Sequence, residues 1–109
     1  QEESSESIRE RVVMAHKRQR ERYEKEEFFY NSQIPAKKIA TFCALKKDEK
    51  RHMQQIYETL NLSVRSYHKI LKTARTIADI EGSEEIRMEH LHEAICYRSI
   101  DSNFWERRR

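Results

Sequence analysis

Three features of the sequence predict an all-α fold, a small bundle of about five helices. The 109 residues include one glycine and one proline, too few for the turns that hairpins need. Apolar residues recur at helical spacing along most of the chain. Hydrophobic residues make up 37% and charged residues 38%, against roughly 45–50% and a quarter in ordinary domains. That balance suits helices with a narrow buried stripe and wide solvated faces.

The first helix is predicted to open at Ser7 with Glu10 completing a capping box, Ser4 and Ser5 being alternative starts. Its stripe is Ile8, Val12, Ala15, Gln19 and Tyr23, and it should run to about Glu27. Phe28, Phe29 and Tyr30, followed by Asn31, Ser32 and Gln33, read as a loop whose aromatics anchor it to the core. Pro35 suits the first turn of a second helix, with Ile39, Phe42 and Cys43 as a short apolar face through Leu45. A third helix from about Lys47 to Thr59 carries Met53, Ile56, Tyr57 and Leu60 at i, i+3, i+4 and i+7.

Asn61 and Leu62 connect to Ser63, the expected N-cap of a fourth helix. Tyr67, Ile70, Leu71, Ala74, Ile77 and Ala78 give it one broad apolar face, so it is the central core helix, and Gly82 is placed to end it in a left-handed conformation. Ile86 packs inward ahead of a last helix from about Met88 to Tyr97 that buries Leu91, Ala94 and Ile95. From Asp101 to the three closing arginines the chain reads as a weakly ordered tail.

A chain of this length buries about two-thirds of its unfolded surface, enough for one modest core. A single domain over 1–109 is expected, with 1–7 and 101–109 flexible. The net charge of +3, from 22 basic and 19 acidic residues, is too small to demand a nucleic-acid partner. Cys43 and Cys96 stand far apart with no CxxC, so neither a disulfide framework nor a zinc finger is signalled. No run of about 18 apolar residues occurs and the N-terminus is acidic and serine-rich, which predicts no membrane span or signal peptide and a cytoplasmic location. The missing initiator methionine fits a piece of a longer protein.

Arg65 is the principal candidate site residue. With Ser63 as N-cap it falls in the first helical turn, where free N–H groups and the positive end of the macrodipole disfavour a cation by a few tenths of a kcal/mol. An anion held between the helix end and the guanidinium reverses that penalty. The plain alternative is an arginine snorkelling over the bundle surface.

The run from Leu62 to Arg98 contains Ser-Val-Arg-Ser-Tyr-His-Lys-Ile-Leu-Lys-Thr-Ala-Arg-Thr-Ile-Ala-Asp-Ile, then Glu-Gly-Ser-Glu-Glu-Ile, then Glu-His-Leu-His-Glu-Ala-Ile-Cys-Tyr-Arg. It closely resembles the C-terminal lid domain of magnesium-chelatase-type AAA+ ATPases, in the ComM-like (YifB-like) branch. Upstream, Glu3-Ser4-Ser5 and Ile8-Arg9-Glu10-Arg11-Val12 extend the resemblance over nearly the whole chain, most weakly at 28–35 and after Ser102. The resemblance implies a helical lid in which Arg65 is the sensor-2 arginine reaching the terminal phosphates of ATP. It further implies ATP and magnesium as cofactors of the parent protein, an AAA+ core domain in the same chain, and neighbouring subunits in a homo-oligomeric ring, a hexamer. The ComM-like wording points to DNA as the object of the motor. A metal-insertion motor and a stand-alone helical adaptor are the competing readings, and a histone-like module is more remote.

Other signals have mainly structural readings. His90-x-His92 with Cys96 suggests a metal, but only His92 and Cys96 share a helix face, so no metal site is assigned. Arg75 and Asp79, four apart, read as a helix-surface ion pair worth a few tenths of a kcal/mol. Lys17, Arg18, Arg20 and Arg22 form a basic patch able to touch a phosphate backbone, although Glu24, Glu26 and Glu27 beside them favour a solvated face. Tyr67 belongs to the apolar stripe, and His68 has no nucleophile or paired carboxylate, so neither is catalytic. No GxxxxGK[ST] loop is present, so this chain alone is not expected to hydrolyse ATP.

Overall fold

The fold begins with helix α1 (Ser5–Arg22), capped by Ser4, whose side chain accepts the Ser7 N–H at 3.1 Å. The computed structural model describes residues 3–108, with side chains described for 3–98. The cap is thus the earlier serine, not Ser7. The helix also stops at Arg22 rather than Glu27, because Tyr23 turns out of helical geometry and buries its ring against Phe28 and Phe42 at 4.8 and 5.0 Å. The first half of α1 reaches beyond the core: Ile8 is exposed, and burial starts at Ala15.

A 3-10 turn at Asn31–Gln33 follows, closed by the Gln33 side chain accepting the Phe29 and Tyr30 N–H groups. Of the three aromatics before it, only Phe28 anchors to the core, while Phe29 and Tyr30 are exposed. Pro35 precedes a second 3-10 turn (Ala36–Lys38) that leads into the four-residue helix α2 (Ile39–Phe42), shorter than the helix expected through Leu45. Ile39 and Cys43 are buried from it.

Helix α3 (Lys47–Thr59) has the expected bounds. Met53 is its buried residue, Ile56 and Tyr57 are partly covered, and Leu60 is exposed just past the end. Asn61 adopts the left-handed region at φ 50°, one of the few non-glycine residues that do so readily. Its N–H bonds the Glu58 carbonyl and the Leu62 N–H bonds that of Tyr57, which satisfies carbonyls the helix would otherwise leave free.

Helix α4 (Val64–Glu81) runs from the Ser63 cap to Gly82 at φ 85°. The Gly82 and Ser83 N–H groups bond the carbonyls of Asp79 and Ala78, the paired closure for which a left-handed residue is needed. α4 packs against α1 on one side and against helix α5 (Met88–Arg108) on the other. Ile70, Leu71 and Ala74 meet Leu91 and Ala94 in the core, with Ile86 covering the end. Burying a side chain of Leu or Ile size is worth about 1.5–3 kcal/mol, so this layer fixes α4 as the central element. Helical backbone in α5 continues past the expected end at Tyr97. Of the stretches 1–7 and 101–109 expected to be flexible, Gln1, Glu2 and Arg109 lie outside the described residues and the tail lies outside the described side chains, while Ser4 to Ser7 form the cap and first turn of α1. Among the described residues there is no strand, and no helix is long and apolar enough to cross a membrane.

Candidate functional site

Arg65 occupies the first turn of α4, next to the Ser63 cap, and is exposed. The Ser63 hydroxyl accepts the Ser66 N–H at 3.0 Å, which fixes the helix start and therefore the direction in which the turn faces. From Arg65, the spacing i+3, i+4, i+7, i+8 and i+11 brings His68, Lys69, Lys72, Thr73 and Thr76 onto one face of α4. These residues line a groove of about 640 Å³ whose opposite wall is Ser32 and Ala36. Three cations and a histidine line it, with no carboxylate among the lining residues. Arg65, Lys69 and Lys72 form no ion pair among the described residues.

The groove wall is held from inside by a buried polar cluster. Asp79, fully buried, accepts two hydrogen bonds from Arg22, at 2.6 and 2.9 Å, and one from Asn31 Nδ2 at 2.9 Å. Arg75 Nη2 lies 3.1 Å from the same carboxylate and donates to the Ser83 carbonyl at 2.8 Å, while Nη1 donates to that of Glu84 at 2.9 Å. Arg18 reaches the Asp79 backbone carbonyl at 3.1 Å. Asn31 is the link to the groove, because its N–H bonds Gln19 at 2.9 Å and its Nδ2 also bonds Thr76 at 3.0 Å. Its neighbour Ser32 then offers a carbonyl to Lys72 Nζ at 3.3 Å.

Two sequence expectations are corrected here. Arg75 and Asp79 are not a surface pair: both are buried, since α1 and the Asn31 turn close over them. Removing water from such a pair raises both its cost and the penalty for breaking it. Nor is the patch of Lys17, Arg18, Arg20 and Arg22 simply a solvated face. Arg18 and Arg22 turn inward to Asp79, and Arg20 lies over the Phe29 ring at 5.3 Å. Burial pulls the Arg22 guanidinium down, but its hydrogen bonds to Asp79 outweigh that and hold it above its ordinary value. Arg75, more deeply enclosed, is lowered by burial despite the pull of Asp79.

Tyr67 packs on Tyr57 with ring centroids 5.3 Å apart, as its place on the apolar stripe requires, and burial pushes its phenol up. Glu81, Glu89 and His90 bring three ligand atoms close together, but the histidine is already committed. His90 Nδ1 accepts the Arg87 N–H at 2.8 Å, which leaves Nε2 carrying the proton that it gives to Glu81 at 3.1 Å. With no lone pair free on either ring nitrogen, the cluster caps α5 rather than holding an ion.

The groove suits anionic oxygen: an exposed guanidinium, two ammonium groups and a helix start face one space. It offers no nucleophile with a base, and the chain's one glycine, Gly82, ends α4 rather than forming a glycine-rich phosphate cradle. Sequence reasoning singled out Arg65 and did not place Lys69 and Lys72 in the same groove. Their i+4 and i+7 spacing from Arg65 was the available signal.

Comparison with known proteins supplies a context. Residues 2–98 match the family model described as magnesium chelatase, subunit ChlI C-terminal. The chain is 40% identical over 99 residues to the uncharacterized protein YifB of Salmonella typhimurium, covering 91% of this chain and 19% of that protein. It is 38% identical to YifB of Escherichia coli over the same shares, 91% and 19%. With the competence protein ComM of Haemophilus influenzae it shares 39% identity over 98 residues, 90% of this chain and 18% of that one. The chain thus spans about a fifth of the length of the curated relatives it matches. No solved structure matches it.

Proposed function

The chain belongs to the family of magnesium chelatase ChlI C-terminal domains, and on that premise we propose that it is the lid of an AAA+ ATPase in which Arg65 contacts the terminal phosphates of ATP. The observation that carries this reading is the position of Arg65: first turn of α4, exposed, unpaired among the described residues, at one end of a cationic groove. Nucleotide and magnesium would be held chiefly by a core domain of the parent protein, because this chain has no phosphate loop. Bound there, ATP supplies a phosphoryl group whose charge grows in the transition state. Arg65 serves as a fixed donor toward that charge, and Lys69 and Lys72 raise the local potential. Moving with α4, Arg65 also reports nucleotide state to the rest of the lid.

The parent would work in the cytoplasm as a homo-oligomeric ring, a hexamer, with nucleotide between subunits. DNA is the preferred object of the motor, favoured by the name competence protein that the Haemophilus relative carries. A metal-insertion motor is the second reading, favoured by the chelatase subunit in the family's description. The test is ATP turnover by the complete protein, with and without single-stranded or branched DNA. Loss of turnover in Arg65→Ala supports the lid reading and unchanged turnover contradicts it. Stimulation by DNA supports a DNA motor, and indifference to DNA favours the chelatase-like alternative.

A further inference from the structure

His52 on α3 and His92 on α5 point their Nε2 atoms at each other, 3.1 Å apart, with ring centroids at 5.0 Å and planes at 71°. We propose that this pair is a binding site for a divalent transition-metal ion of the zinc class, one that bridges α3 to α5. The site is separate from the Arg65 groove and does not depend on the lid reading.

The spacing carries the inference. Zinc sits about 2.0–2.1 Å from imidazole nitrogen, so two nitrogens 3.1 Å apart subtend about 95–102° at such an ion. That angle lies between octahedral and tetrahedral values. Both residues sit in the interior of helices, at 52 within Lys47–Thr59 and at 92 within Met88–Arg108, so backbone rigidity holds the bite. His92 is exposed and His52 half-buried, which leaves room for water on the remaining coordination positions.

The pair also differs from His90, whose ring nitrogens are both used. In the metal-free protein one ring of the pair donates its Nε2–H to the lone pair of the other. Metal binding needs only that the donor ring exchange this proton to Nδ1 through water, after which both Nε2 lone pairs face the ion. Imidazole nitrogen suits zinc, copper and nickel rather than calcium or magnesium. Met53 of α3 already shares the core with Leu91 and Ala94 of α5, so an ion here would add a second tie between these two helices at the surface.

The probe is Zn²⁺ alone, titrated into the untagged chain in a Cys96→Ser background, so that the exposed thiol cannot supply the affinity. One saturable site is expected by calorimetry, with the ring resonances of His52 and His92 shifting together while those of His16, His68 and His90 stay in place. Losing an outer-shell partner alone typically costs about 10–100-fold in metal affinity, so His52→Ala and His92→Ala should each cost at least that much, with helix content unchanged. Absence of saturable binding, binding that leaves both rings unperturbed, or wild-type affinity in either variant would overturn the proposal. The ring resonances of the unsubstituted histidines decide the question even if a variant folds poorly.

Discussion

Arg65 and Arg75 stand on the same helix, nearly three turns apart. Arg65 is exposed in the first turn and forms no ion pair among the described residues. Arg75 is 5% exposed, and its guanidinium serves two backbone carbonyls and Asp79. The difference arises from what crosses α4 at each level. At Arg75 the end of α1 and the Asn31 turn close over the helix, and at Arg65 only the open groove faces it. One cation is therefore a structural tie between α4 and the turn leading into α5, and the other is available to an outside anion.

The largest expected effect comes from removing the acid that unites the buried half. Asp79→Ala leaves Arg22 and Arg75 without their carboxylate and should lower stability by about 3–5 kcal/mol, the usual cost of breaking a buried pair from one side. Thermal denaturation should register this as a fall of roughly 4–8 °C per kcal/mol. A variant within 1 °C of the parent would erase the distinction between the two arginines. Arg75→Met is milder, because Arg22 keeps Asp79 company. It orphans the Ser83 and Glu84 carbonyls at about 1–3 kcal/mol, seen as a lower denaturant midpoint.

Cys43 gives a pH test of the same core. Burial pushes its thiol up to about 11 from an ordinary 9.0, against the lowering influence of Arg75. A raised value means that the stabilisation is complete below about pH 9 and is lost as pH rises toward about 11. Within that window stability should fall by about 1.4 kcal/mol per pH unit, and Cys43→Ala should flatten the slope. A thiol reagent near neutral pH should modify the exposed Cys96 and spare Cys43 until the chain unfolds. The smallest effect belongs to Arg65. Its replacement by Ala should change stability by less than about 0.5 kcal/mol, with a slight gain allowed by the removal of a cation from the helix start.

Local signals made much of the fold legible. The bounds of α3, the Ser63 cap and the Gly82 stop all rest on residues within a turn of the feature they determine. The place of Arg65 in the first turn of α4 was legible for the same reason. The role of Asp79 was not: spacing of four puts it beside Arg75, but its burial depends on Arg22, 57 residues away, and on Asn31, 48 away. The end of α1 was missed because no glycine or proline marks it. Tyr23 leaves the helix only because Phe28 and Phe42 await its ring. The groove needed both kinds of information, since its basic stripe is in the α4 spacing whereas its far wall is set by the Asn31 cluster.

If Arg65 acts on a ligand and not on the fold, as proposed, turnover and thermal stability of Arg65→Ala measured together in the complete protein will separate. ATP turnover should fall by about 10²-fold or more, the usual loss when one donor to a developing charge is removed, with an unchanged denaturation midpoint. Wild-type turnover in the variant, or a loss of turnover matched by a loss of folded protein, would contradict the proposal.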